Sequence, residues 1–282
     1  MQVAVLGLGR MGSAIAGRLI DQGYEVVLWN RSLEKAEQLE RRGARRAPSA
    51  AAASAEAEVV VTSLADDQAV LTVVMDEGVV GALRTDAVLM DTSTVSPSTS
   101  RHLADLVAGR FADVPILGGP QLVASGEATL LVGGEEPALS RLRPVLASIT
   151  TKQWRCGGTG TGATCKLVAN LMMMSGLGVL AEAVSLAQGA GLGDDVVSSL
   201  MDSALVPPLL KSRVPYLVQA EYQGWFSVDL GLKDVRLATA LAAEHGQRLP
   251  LGQAIVAMLE QVQASGLGAL DIAAIREALS IQ

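Results

Sequence analysis

At 282 residues, half of them apolar and 18% charged, the chain has material for one large domain or two ordinary ones and is too apolar to be disordered. A net charge of −7, with no basic block beyond Arg41-Arg42 and Arg45-Arg46, argues against a nucleic-acid surface, and Cys156 and Cys165 are too few for a disulfide framework. The chain enters its first strand with no signal peptide ahead of it, so a cytoplasmic protein is expected.

Residues 3–6 form a short β-branched run of the kind that makes a fully buried parallel strand, and residues 13–20 carry apolar side chains at helical spacing. Between them lies Gly7-Leu8-Gly9-Arg10-Met11-Gly12, a G-x-G-x-x-G turn in the strand-turn-helix setting that binds dinucleotides. Gly7 permits the tight turn, Gly9 lets the backbone approach a pyrophosphate, and Gly12 lets helix pack on strand. The alternative is a structural turn in a nucleotide-free domain. A second strand, 24–29, ends in Asn30-Arg31-Ser32. An acid at such a tip would hold the ribose 2′-hydroxyl of NAD, whereas Arg31 with the Ser32 hydroxyl suits the 2′-phosphate of NADP. Ser32 can equally be an ordinary N-cap for the amphipathic helix expected at 33–42. The arginine pairs flanking Gly43 read as a solvated helix end.

After a weak alanine-rich helix at 50–57, residues 58–62 form a third strand, and Ser63-Leu64-Ala65-Asp66 leaves its C-terminal end. Ligands of open parallel sheets bind beyond such ends, so this turn is expected at the cofactor, with helix capping as the alternative for Ser63 or Asp66. The strand at 86–90 runs into Asp91-Thr92-Ser93-Thr94-Val95-Ser96-Pro97, where Ser96-Pro97 makes an N-cap and N1 pair and Ser93 and Thr94 have no such explanation. Strands follow at 111–116 and 128–132, a helix near 138–148 and a strand near 151–155. Leu117-Gly118-Gly119-Pro120 after the first of these allows close approach of a ligand, or is a turn.

From residue 161 only helices are expected, at 161–188, 194–202, 207–219, 228–244, 250–264 and 270–279. Lys166 and Asn170, four apart, share one face of a helix so apolar that burial is expected. A lysine there is costly unless paired or in a cleft, the plain alternative being a lysine at a helix end with its head in water. Asn170 and Glu182 interrupt the apolar run too soon for a membrane span, so a buried helix is expected and no membrane partner. His102 and His245 are isolated, and nothing has metal-ligand spacing. Arg213 and Trp225 are either pocket or packing residues.

Taken together, these pieces resemble the β-hydroxyacid dehydrogenase family, of the 6-phosphogluconate dehydrogenase-like type, which includes 3-hydroxyisobutyrate dehydrogenases and glyoxylate or succinic-semialdehyde reductases. Gly7 to Gly12 looks like its N-terminal signature, and Asp91 to Pro97 is similar to its D-x-S-T-V-x-P segment. Gly160-Thr161-Gly162-Ala163 through Lys166 to Asn170 matches its G-x-G-x-x-x-K-x-x-x-N helix, and Lys233-Asp234 its late K-D motif. The resemblance implies an α/β N-terminal Rossmann domain, doubly wound with a mostly parallel sheet, over residues 1–160. An all-α substrate and dimerisation domain would follow over 161–282.

It further implies an NADP(H)-dependent dehydrogenase or reductase in which Lys166 is the acid/base and Asn170 orients substrate. Thr94 and Lys233 would contact the cofactor, and Leu64-Ala65 would bracket it. Ser93, Leu117, Gly118 and Gly119 would line the substrate, a small carbonyl or hydroxy compound, in a homodimer or homotetramer. One departure stands out: the family's D-A-P-V-S-G-G reads Asp113-Val114-Pro115-Ile116-Leu117-Gly118-Gly119, so Leu117 replaces a serine that donates to the substrate carboxylate. That makes a less polar carbonyl plausible. It also keeps open the related imine reductases, which commonly lack the lysine; the reading from another class is a non-catalytic NADP-sensing or interaction module.

Overall fold

The computed structural model describes residues 1–32 and 36–279. The chain divides into two compact units, Met1–Lys166 and Leu167–Gln282. The first is built on one sheet of nine strands: β1 (Gln2–Leu6), β2 (Glu25–Trp29), β3 (Arg45–Arg46), β4 (Val59–Thr62), β5 (Val88–Asp91), β6 (Phe111–Asp113), β7 (Ile116–Leu117), β8 (Thr129–Gly134) and β9 (Gln153–Gly157). Its order is β3-β2-β1-β4-β5-β6-β8-β7, with β9 also on β8. Every pairing from β3 to β6 is parallel; β8 runs antiparallel to β6 and β7, and β9 parallel to β8.

The apolar strand runs follow from burial on both faces. Alternation along the strand sends Val3, Val5, Val59, Val61, Val88 and Met90 to one side, against Ile15 and Leu19 of α1 (Arg10–Asp21), Val123 of α7 (Pro120–Ser125) and Leu139 and Leu142 of α8 (Glu136–Ile149). Ala4, Leu6, Val60 and Leu89 go to the other, against Ala50 and Ala53 of α3 (Ala50–Ser54), Val70 of α4 (Asp67–Leu71), Val79 of α5 (Val79–Ala82) and Leu103 of α6 (Pro97–Leu106). Three expectations need correcting. The strand expected at 111–116 is two, because Pro115 has no N–H for a ladder, and β7 pairs with β8 instead. Arg45-Arg46, read as part of a helix end, is a two-residue edge strand beside Val27 and Leu28, with both side chains exposed as expected. Of the helix expected at 33–42, α2 spans only Glu37–Glu40, and Leu33, Glu34 and Lys35 lie outside the described residues.

The described residues of the second unit are helical: the rest of α9 (Thr161–Gly189), then α10 (Asp194–Met201), α11 (Pro208–Lys211), α12 (Val214–Gln219), α13 (Val228–Glu244), α14 (Pro250–Val262) and a closing 3₁₀ stretch, Ile272–Leu279. The helix expected at 207–219 breaks before Pro215, whose ring is tolerated only in the first turn of the new helix, α12. Met174, Leu177 and Val184 of α9 pack with Leu232 and Val235 of α13 and Ile255 and Leu259 of α14.

By length and composition alone α9 could cross a membrane, yet nearly half of its apolar window lies inside the protein, as in a core helix. It is not buried all round, as the sequence suggested. Val168, Met172, Val179 and Leu186 form an exposed row, with Met172 at 72% and Leu186 at 75%.

Candidate active site

The glycine turn is enforced by close packing at two points. Gly7 has φ +97°, and a Cβ there would overlap the Ser63 carbonyl oxygen; one on Gly12 would overlap the carbonyl oxygen of Gly7 itself. Gly9 differs, since a Cβ there would meet no atom within 4 Å among the described residues beyond its chain neighbours. Helix α1 opens at Gly9 with no side-chain cap and no acid in its first turn, which suits its N-terminus to an anion. Leu8 and Met11 turn their side chains to the core, so their part in the turn is played by backbone.

Asn30 ties this turn to the end of β2. Its Oδ1 accepts the Leu8 N–H at 2.9 Å and its Nδ2 donates to the Ser32 carbonyl at 2.9 Å. Arg31 and Ser32 beside it are exposed, and Arg10 of the turn is exposed as well. At the end of β4, the Leu64 N–H donates to Ser93 Oγ at 2.9 Å, Ala65 is exposed, and Asp66 caps α4 through the Ala69 N–H at 2.8 Å. The hydroxyl oxygen of Ser93 thus positions the Leu64 turn, a tie that the sequence did not show. Thr94 next to it is half-buried.

Beneath them Asp91 is buried, and accepts from Thr62 Oγ1 at 2.7 Å and the Ser93 N–H at 3.1 Å. Burial outweighs those bonds and raises its pKa. Ser96 caps α6 as expected, and with Thr99 it donates to Asp67 Oδ1, each hydroxyl at 2.6 Å.

In the first unit, Lys166 Nζ donates to the Ile116 carbonyl at 2.7 Å, which sets the ammonium beside the stretch Leu117-Gly118-Gly119. Gly118 has φ +118°, a value that favours glycine. Leu117 is half-buried and its side chain supplies no donor. One helical turn after Lys166, in the second unit, Asn170 is buried and its Nδ2 donates to Asp234 Oδ2 at 2.5 Å. The other oxygen of Asp234 pairs with Lys233 Nζ at 2.9 Å. A single buried carboxylate therefore fixes both Asn170 and Lys233. Sequence reading took Lys233 as a contact and gave Asp234 no role. The signal was present, for Asp234 occupies a core position of α13 between Leu232 and Val235.

Residues 2–159 match the family described as the NAD binding domain of 6-phosphogluconate dehydrogenase, and residues 160–279 the family described as NAD-binding of NADP-dependent 3-hydroxyisobutyrate dehydrogenase. Over 284 residues the chain is 30% identical to glyoxylate/succinic semialdehyde reductase 1 of Arabidopsis thaliana, covering 99% of this chain and 98% of that one. The protein belongs to the β-hydroxyacid dehydrogenase family. Among solved structures, 3-hydroxyisobutyrate dehydrogenase from Salmonella typhimurium has a TM-score of 0.90 at 26% identity, covering 98% of this chain and 99% of that one. An imine reductase from Pseudomonas sp. shares the fold, with a TM-score of 0.63 at 23% identity over 99% of both chains.

As a β-hydroxyacid dehydrogenase the protein is an NAD(P)-dependent oxidoreductase. The residues present fit the nicotinamide cofactor of this family. At Gly7 and Gly12 protein packing by itself demands glycine, whereas at Gly9 it does not, and the open backbone there leaves room for a pyrophosphate.

Proposed function

We propose that this β-hydroxyacid dehydrogenase uses NADP(H) to interconvert a small carbonyl and its hydroxy compound, with Lys166 as the acid/base. The observation that carries the reading is the Lys166 ammonium held at 2.7 Å on Ile116, beside Leu117 to Gly119 and one helical turn before an Asn170 fixed by Asp234. The bound nicotinamide supplies or accepts the hydride. Lys166 holds a proton at Nζ, gives it to the carbonyl oxygen in reduction and takes it from the hydroxyl in oxidation. Asp234 pins the Asn170 nitrogen, which fixes where the amide oxygen points and lets Asn170 orient the substrate. Thr94 and Lys233 contact the cofactor, and Leu64 and Ala65 bracket it. Exposed Arg31 and Ser32, with no acid at the tip, support the 2′-phosphate of NADP.

Leu117 favours a second reading of the substrate. Without the hydroxyl donor that the family's serine brings, the site is suited to a carbonyl, or an imine, less polar than a short hydroxy acid. The exposed apolar row on α9 supports a homodimer that covers it.

The deciding experiment follows NADPH oxidation over a panel of aldehydes, keto acids and cyclic imines, with wild type and Lys166→Ala. Turnover should fall by at least about 100-fold in the variant while NADPH affinity hardly changes. Turnover within tenfold of wild type would make Lys166 structural. A protein that binds NADPH and oxidises it with no member of the panel would be a sensor.

A further inference from the structure

Asp113, at the end of β6, opens the family segment in which Leu117 lies, and the mechanism above leaves it unused. It is 1% exposed, and both carboxylate oxygens are engaged. Oδ1 accepts the Gly160 N–H at 2.8 Å and Oδ2 the Ala163 N–H at 2.8 Å. These are main-chain donors at the opening of α9, the end of a helix whose N–H groups have no partner within it and where a negative charge is favoured.

The fit is tight. A Cβ on Gly162 would stand 2.5 Å from the Asp113 carbonyl oxygen and 2.9 Å from Oδ2. A Cβ on Gly133 would stand 2.7 Å from Oδ1 and 2.8 Å from Oδ2. Two glycines thus make room for one carboxylate. Three residues beyond Asp113, the carbonyl of Ile116 receives Lys166 Nζ; three residues beyond Ala163 stands Lys166 itself. Between the two anchors the path is stiff, for Pro115 has a fixed φ and its carbonyl accepts the Leu131 N–H at 2.9 Å.

We propose that Asp113 is a positioning residue for Lys166, its carboxylate fixing the first turn of α9 and thereby the place of the ammonium on Ile116. The inference rests on the acid/base reading of Lys166. As a carboxylate, Asp113 offers an acceptor to each of two N–H groups; as a neutral acid it has an O–H where one of those acceptors was. The turn then loses a bond at low pH, and Lys166 with it loses its place.

The titratable and charged groups near Asp113 are Asp91, its register partner on β5, and Cys156 on β9, with Arg101 of α6 lying against Gly160. Burial is the largest influence on the Asp113 carboxyl, ahead of the bonds from Gly160 and Ala163, and with the nearby Asp91 it pushes the pKa up to about 6.

The test is the pH profile of kcat from 5 to 9 for wild type, Asp113→Asn and Lys166→Ala, with NADPH and the best carbonyl of the panel. Wild type should show an acid limb with an apparent pKa near 6. Asp113→Asn keeps the shape but turns an amide nitrogen toward one of the N–H groups. It should lower kcat about tenfold to about a hundredfold at neutral pH, lack the acid limb, and hold NADPH within about twofold of wild type. An acid limb that survives in Asp113→Asn, or full activity in that variant, overturns the inference. If Lys166→Ala retains full activity, it is the acid/base reading that fails. Should Asp113→Asn not fold, a carbon-13 titration of the Asp113 carboxyl in the wild-type holoenzyme decides: a group that stays ionised throughout pH 5 to 7 refutes the proposal, and one titrating near 6 in step with kcat supports it.

Discussion

The glycine turn and the helix that carries Lys166 and Asn170 are held in place by opposite means. Around the glycine turn the work is done by neutral groups: Asn30 on Leu8, Ser93 on Leu64, and backbone packed so closely at Gly7 and Gly12 that no side chain fits. The buried carboxyl at the end of β5, Asp91, has its pKa raised by burial, as Asp113 does. Around Lys166 and Asn170 the supports are carboxylates, Asp113 under the helix opening and Asp234 between Asn170 and Lys233. The difference follows from charge. A dinucleotide brings phosphates, and an anionic support beside them would repel the ligand it serves. A half-buried lysine such as Lys233 holds its charge more readily beside a carboxylate.

The contrast breaks most sharply where a charge is removed from one region or added to the other. Asp234→Ala removes a buried carboxylate that pairs with Lys233 and accepts from Asn170, so it should cost about 3–5 kcal/mol of stability by denaturant titration. Asp234→Asn, of the same shape, should cost less and lower kcat more than NADPH affinity. In the other region, Asn30→Asp adds a charge and loses the donor to the Ser32 carbonyl, and Asn30→Ala loses that donor and the acceptor of the Leu8 N–H. The alanine variant should weaken NADPH by about 1–3 kcal/mol, the cost of an amide left unpaired, and the aspartate variant by more. Equal NADPH affinity in wild type and Asn30→Asp would end the electrostatic account. Arg31→Ala should come next, weakening NADPH by about 1.5–3 kcal/mol, tenfold or more, and leaving NADH unchanged.

Where the sequence was informative, a local pattern carried the geometry. The three glycines, the strand ends and the four-residue spacing of Lys166 and Asn170 could be read because each is settled within one turn or one helix. The bonds of Asp113 to the opening of α9 and of Asp234 to Asn170 could not be read that way. Their partners lie 47 to 64 residues away along the chain, and only the folded sheet and helices bring them together. Arg45-Arg46 failed for another reason, being an edge strand of two exposed residues with no periodicity to detect. On α9 the composition is apolar nearly all round, which says that a face will be covered but not by what; Met172 and Leu186 stand open in the single chain. Met172→Glu should convert a dimer to a monomer by light scattering, and a wild type already monomeric at micromolar concentration would refute the assembly.

The smallest expected effect tests the same contrast at the foot of α6. Asp67 accepts from the Ser96 N–H and hydroxyl and from the Thr99 hydroxyl. Burial raises its pKa, but these bonds and one from its own backbone N–H together more than offset that, and the net shift is downward from 3.8. A carboxyl depressed in the folded state contributes stability that is present above its unfolded pKa and lost as pH falls through the lower, folded value. Ser96→Ala removes the α6 cap and one of the two hydroxyls on Asp67, so it should cost about 1 kcal/mol at pH 7. The folded pKa of Asp67 should also climb back toward 3.8, because fewer bonds then favour its charged form. The gap between wild type and variant should therefore narrow when unfolding is measured below pH 4, where the lost charged form no longer counts. A gap that stays constant from pH 7 down to pH 3 would mean that Ser96 acts through the helix cap alone and that Asp67 contributes nothing.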